Sequence, residues 1–572
     1  MSLDSLPAEL VEIIAGHLSL SDRMSLGATC RRMEALMDQP KLTTKLFLHL
    51  NIKRTHNAVD GVHQLLDFPI PRWVVANSRR TYQNISVMLN DGSSLVEKAA
   101  EILNLLHEQG KSPKYLKVED YGCVSVLNLY NLCQPTFEGL KTLRVSLGGR
   151  LRDPNYYREL NLPELRSLHW REVSCLSLCN AQHKPCISLV APQLEQLVAE
   201  TTPVVGHFRM PHLVLNTHPK LTTASLTLDT STVDKFFSLQ YPALTKLSLY
   251  WSVRQVSDAQ LAGVASCLPN VASLMFRTAL LESSSRAVAA ILSNSTTLRT
   301  VLLKECILTE EVFSDSLGWE HVRNLHIHGG MIKLNAPRRT LTLPALETFC
   351  MKTDFLESHH MLSLRLPNVR ELSLSFKGYC FEVVSAPHVE KLQLLLLSWQ
   401  SHSFLRNPMP YLHTLVVQTG RLEEPLLSLL RSSTSSLKHL TIVCHSLMGF
   451  DSTLYNIDTM LPKLETLALI GVQELSELHK ETVAAICRLR KLKKLHLERV
   501  TLIGPDELFV TVPQDLEYLT LRNVCRNTFA MLRKTPYPTF QPKETILNRY
   551  YWNAHYAARE LDLGYEWCLF QI

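Results

Sequence analysis

The chain has 572 residues, with 46% hydrophobic and 20% charged side chains and a net charge of +6 from 59 basic and 53 acidic groups. That is the balance of a folded chain with a large core, and the excess of base is too small to argue for nucleic-acid binding. No apolar run reaches the ~18 residues of a membrane span, the N-terminus lacks a basic-then-apolar leader, and the 14 cysteines are scattered without a C-x-x-C pair. The expectation is an intracellular chain, cytoplasmic or nuclear, with reduced thiols, no membrane contact and no nucleic-acid partner.

The first structured stretch is Leu6 to Leu36, LPAELVEIIAGHLSLSDRMSLGATCRRMEAL. Its spacing predicts three short helices. Pro7 suits a first helical position and Glu9 sits favourably in the first turn. Leu10, Ile14 and Leu18 recur at i, i+4 and i+8, which predicts the apolar face of the first helix. Ser19 with Asp22 reads as a capping box for the second helix, and Leu26 and Met24 supply its apolar side. Cys30, Met33 and Leu36 do so for the third, with Arg31 and Arg32 turned outward.

These residues resemble the F-box family. The Leu-Pro-x-Glu-Leu opening with its Ile and final Leu is matched by Leu6, Pro7, Glu9, Leu10, Ile14 and Leu18. The Ser-x-x-Asp step is Ser19 and Asp22, and the closing small-basic-basic triplet is Cys30, Arg31 and Arg32. The departures are Thr29 for a family Val, Met33 for a common Trp, and Arg23 where an apolar residue is usual. The resemblance implies docking of a Skp-family adaptor through Leu6, Pro7, Glu9, Leu10, Ile14 and Leu18. Of these, Leu6 and Pro7 are expected to be the clean probes, since Leu10 can also support the helical core.

Residues 1–46 are read as the F-box and 47–80 as a connector, which holds Pro69 and Pro71. From 81 to 535 the chain repeats L-x-x-L-x-L, as in Leu140-Leu143-Val145, Leu298-Val301-Leu303, Val369-Leu372-Leu374 and Leu464-Leu467-Leu469. Between Leu140 and Leu516 the spacing averages about 25 residues, inside the window of leucine-rich repeats. Each L-x-L is a strand with leucines inward, and one unit cannot bury its leucines without neighbours. The fold class is therefore α/β: an N-terminal three-helix F-box, then an irregular leucine-rich-repeat solenoid whose curved parallel sheet carries helices and turns on its convex side. Helical connections are expected at 95–107, 258–267, 286–292, 425–430 and 482–489. The aromatic-rich tail, 536–572, is read as a C-terminal cap.

No phosphate loop, H-E-x-x-H, nucleophile elbow or dinucleotide fingerprint is present, so no catalytic residue and no cofactor is expected. His326 and His328 read as isolated. The most zinc-like set, Cys175, Cys179, His183 and Cys186, has a spacing that matches no common finger or ribbon. It is read as a loop, and no metal is expected.

The register also selects the outward strand residues. Nine are basic (Arg144, Arg171, Lys246, Arg277, Lys304, Lys352, Lys391, Lys494 and Arg522) and three acidic (Glu200, Glu371 and Glu498). Between 389 and 469 the same positions turn apolar, with Leu395, Val416, Val443 and Ile470. The expected concave binding face is Arg277, Lys304, Lys352 and Lys391 for an acidic or phosphorylated protein, with Val416, Val443 and Ile470 as an apolar anchor. The resemblance to the F-box family, with these repeats, implies the non-catalytic substrate-recognition subunit of an SCF-type (Skp–cullin–F-box) ubiquitin ligase. The alternative is a repeat scaffold not coupled to ubiquitylation.

Overall fold

A computed structural model of the chain describes residues 6–18, 20–37, 47–52, 83–89, 93–120, 125–147, 158–173, 187–202, 213–214, 216–229, 232–253, 255–314, 317–334, 338–353, 355–356, 361–376, 381–396, 408–419, 424–444, 454–471, 476–503 and 516–522. The expected cap at 536–572, most of the connector, the capping residue Ser19 and the set Cys175, Cys179, His183 and Cys186 lie outside them. The chain divides into two compact units, Met1–Ser283 and Ser284–Ile572.

The first unit opens with three helices, α1 (Ala8–His17), α2 (Leu20–Gly27) and α3 (Arg31–Met37). A parallel sheet follows. Its strands Phe47–Ile52, Asn84–Leu89, Tyr115–Asp120, Thr142–Leu147, Ser167–Val173, Gln196–Thr202, Thr223–Leu228, Lys246–Trp251 and Ser273–Thr278 pair in that order. The stretch Phe47–Ile52, read as the start of a connector, is a strand. Lacking a first leucine, FLHLNI does not advertise the repeat, yet its Leu50 is buried like the strand leucines beside it.

The strands exist because of period-2 alternation. Leu116, Leu143 and Leu168 meet across one row, and Val118, Val145 and Trp170 across the next, all buried. Full burial of such a side chain stabilises by about 1.5–3 kcal/mol. The leucine that opens each motif also closes a turn. The N–H of Leu165 donates to the Leu162 carbonyl at 3.1 Å, and Leu194 donates to Ala191 at the same distance.

Helices cover the leucine side where the connections are long enough. Ser93–Glu108 buries Val96, Ala99, Ala100, Leu103 and Leu106. The helix expected over 258–267 is two, Asp258–Ala262 and Val264–Cys267. Ser257 and Gln260 form a reciprocal capping box at its start. Gly263 divides the pieces, since a Cβ there would lie 2.9 Å from the Phe237 carbonyl oxygen.

The second unit repeats the scheme with strands Thr300–Lys304, Asn324–His328, Thr348–Thr353, Glu371–Phe376, Lys391–Leu396, Thr414–Thr419, His439–Cys444, Thr466–Gly471, Lys494–Glu498 and Tyr518–Arg522. Helices Ser283–Asn294, Glu424–Ser432 and Lys480–Cys487 fill the longer connections. Short connections carry second strands where turns were expected. Phe381–Ser385, within the 20-residue step between Val369 and Val389, pairs with Met361–Arg365, which pairs with Arg338–Thr342. Met331–Lys333 likewise pairs with Ile307–Thr309.

The corner after His328 requires glycine. Gly330 has φ +91°, and a side chain there would collide with the Cys306 backbone. That corner is closed by the Met331 N–H donating to the Cys306 carbonyl at 2.9 Å. A very large parallel sheet with one strand per repeat is compatible with a solenoid-like fold. Among the described residues no helix is long and apolar enough to cross a membrane.

Candidate functional site

Two surfaces can meet a partner. The first is on α1. Its buried face is Val11 and Ala15, which pack with Met33, Leu36 and Met37 of α3, and Leu6, Ala8, Leu26 and Cys30 border this core. The expected apolar face of Leu10 and Ile14 lies outside this core. Leu10 and Ile14 are 47% and 39% exposed, and Ile13, not singled out from the sequence, is 60% exposed. The physical reason is helix approach. Val11 and Ala15 also lie four residues apart, and their small side chains let α1 come close to Met33, which fills the core where a Trp is usual.

This also reverses the expected choice of probe. Leu6 helps support the helical core and Leu10 does not. Polar groups hold the unit together at its edges. Arg32 Nη2 donates to the Leu6 carbonyl at 2.7 Å, and Arg23 Nε donates to the Leu18 carbonyl at 3.1 Å, which gives that non-apolar departure a structural role. Glu9 is exposed in the first turn and Leu18, half-buried, closes the helix through its N–H to the Ala15 carbonyl.

The second surface is the sheet face opposite the leucines. In the first unit Arg277 is exposed and its guanidinium lies 5.5 Å from the Tyr250 ring centroid. Arg144 packs similarly over Tyr115 at 5.9 Å. Burial, followed by the positive charge of Arg144, pushes the His169 pKa down; Glu200 opposes this and Arg171 adds to it. Glu200 accepts a 2.5 Å hydrogen bond from Ser225 Oγ.

In the second unit, Lys304 and Lys352 flank His328 on the neighbouring strands. Lys391 is different, since its Nζ lies 2.8 Å from Glu371 Oε1. Glu498 is buried 3.3 Å from His496 Nε2. The three acids of this face are thus engaged by groups of the chain itself. Val416, Val443 and Ile470 do lie on this face, at 1%, 5% and 3% exposure, with Leu395 packed on Val443 and Ile470. All three are buried and offer no open surface, and Val443 and Ile470 form an apolar cluster with Leu395.

Sequence reasoning also left His326 and His328 isolated. They project from one face of a strand, and the parallel pairing sets Cys350 directly beside His326. His328 Nε2 is 3.7 Å from Cys350 Sγ. The signal was available: His326 and Cys350 hold the same place in consecutive motifs, Leu325-His326-Ile327 and Phe349-Cys350-Met351.

Residues 3–45 match the family described as the F-box domain. The N-terminal segment is an F-box. The described residues of this match include α1, α2 and α3, and Leu10, Ile13 and Ile14 are exposed apolar side chains among them. F-box domains bind Skp-family adaptors in SCF complexes and generally belong to non-catalytic adaptors, so the F-box supports a role in assembling an SCF-type ubiquitin ligase. The comparison with curated proteins finds no match to the chain.

Proposed function

We propose that this chain is the substrate-recognition subunit of an SCF-type E3 ubiquitin ligase, acting in the cytoplasm or nucleus without catalytic residues of its own. The observation that carries the proposal is the exposed apolar side chains of Leu10, Ile13 and Ile14 on an F-box helix whose core is already complete without them. Three large aliphatics side by side in water are costly unless a partner covers them. In this reading Pro7 and Glu9 flank the docking surface, Leu6 and Leu18 set the helix ends, and the Skp-family adaptor links the chain to the cullin core.

The parallel sheet, read as a leucine-rich-repeat solenoid over 81–535, holds the protein to be ubiquitylated. Its outward lysines and arginines favour an acidic or phosphorylated partner, with Lys304 and Lys352 in the second unit and Arg277 in the first as binding groups. Lys391 contributes less, because Glu371 already neutralises it. Burial of Val416, Val443 and Ile470 moves the apolar anchor out of this proposal.

The test is co-expression with a Skp-family adaptor and cullin core. Stoichiometric co-purification of the full chain, lost on deleting residues 1–46, is expected. A chain that purifies without the adaptor under these conditions contradicts the proposal and leaves a scaffold role. Proteins captured equally by the full chain and the deletion then identify the substrate side.

A further inference from the structure

We propose that His326, His328 and Cys350 form a zinc site on the outward sheet face of the second unit. The ligand atoms of the three residues all lie within 4.8 Å of one another. Cys350 Sγ and His328 Nε2 are 3.7 Å apart, and a tetrahedral zinc with ~2.3 Å sulfur and ~2.0 Å nitrogen bonds has a sulfur–nitrogen edge of about 3.5 Å. The two imidazole centroids are 6.3 Å apart on one strand.

The chemistry of the donors agrees with the geometry. Two imidazoles and one thiolate make a borderline-soft set suited to zinc and poor for magnesium or calcium. Three protein ligands leave the fourth position to water. The set also stands on rigid elements. His326 and His328 share strand Asn324–His328, Cys350 lies on the paired strand Thr348–Thr353, and the Gly329–Gly330 corner fixes the chain immediately after His328.

The charges nearby must be weighed. Lys304 and Lys352 flank His328 and oppose a bare dication. Binding releases the Cys350 thiol proton to solvent, so the added charge is one and not two. Both lysines have four-carbon stems that can carry their ammonium groups away, and near the ion they favour an anionic fourth ligand.

The experiment uses the full chain stripped with chelator and titrated with cobalt(II), then competed with zinc. The expected result is one tightly bound cobalt per chain with the visible bands of a tetrahedral ion and a thiolate-to-cobalt charge-transfer band. Cys350→Ser should abolish the charge-transfer band, and His328→Gln should weaken binding by more than ~100-fold, beyond the cost of losing a mere supporting group. Cys179→Ser, from the other cysteine-rich stretch, should change nothing. Should Cys350→Ser fail to fold, the half-buried His328→Gln decides. The proposal is overturned by wild-type protein that binds no cobalt, by a spectrum that survives in Cys350→Ser, by wild-type affinity in His328→Gln, or by loss of the site in Cys179→Ser.

Discussion

Lys391 Nζ reaches across one strand pair to Glu371 Oε1 at 2.8 Å, with both side chains about a third exposed. An exposed ion pair of this sort contributes ~0–1 kcal/mol to stability, but it removes Lys391 from the charge a partner meets. Lys304 and Lys352 flank His328 on its two neighbouring strands. The double variant Lys304→Glu with Lys352→Glu is therefore expected to weaken capture of an acidic substrate at least ~10-fold and to flatten its dependence on salt. Lys391→Ala should change capture by less than ~3-fold. Titrating the captured substrate at several ionic strengths distinguishes them, and equal effects of the two changes would remove the charge argument.

Core and outward positions respond to charge for the same reason here. Leu372 is wholly buried in the leucine row, so Leu372→Asp should lower the unfolding free energy by about 4 kcal/mol or more. Val443 lies on the opposite face but is also buried, against Ile470 and Leu395. Val443→Asp is accordingly expected to act first on stability, with a loss of about 2–4 kcal/mol in chemical denaturation. A Val443→Asp chain as stable as the wild type would mean that this cluster is open surface after all.

The strands were legible because alternating leucines at a spacing of about 25 residues admit one arrangement that buries them. The register followed as well, and with it the rows of outward residues. The face of α1 was not legible. Leu10 with Ile14 and Val11 with Ala15 are equally good i, i+4 pairs, and the choice rests on how closely α3 approaches through Met33. The cluster of His326, His328 and Cys350 depends on neighbours 22 to 24 positions apart, which only alignment of successive motifs brings together. Burial of Val416, Val443 and Ile470 is a tertiary outcome that their place in the motif does not reveal.

Acid should weaken the fold. Burial lowers the pKa of His218, with a bond to the Ala191 backbone opposing it, and burial lowers those of His169 and His439. Each takes up its proton less readily when folded than when unfolded. Below the unfolded value near 6.5 the unfolded chain binds more protons, so stability present above that pH is lost as pH falls toward the folded-state values. Melting temperatures measured from pH 7.5 to about pH 5 should decline, and His218→Gln should reduce the slope. A flat profile in the wild type would contradict these burial effects.

The most direct test of the account is the affinity of the full chain for a Skp-family adaptor, measured for the wild type and for Ile13→Asp with Ile14→Asp. Both residues are exposed and lie outside the core of Val11, Ala15 and Met33, so the melting temperature should not change. Truncation at an interface centre costs about 2 kcal/mol or more, so the Kd should rise at least ~30-fold. A folded double variant that binds the adaptor as tightly as the wild type would contradict the claim that this face of the F-box links the chain to the ligase.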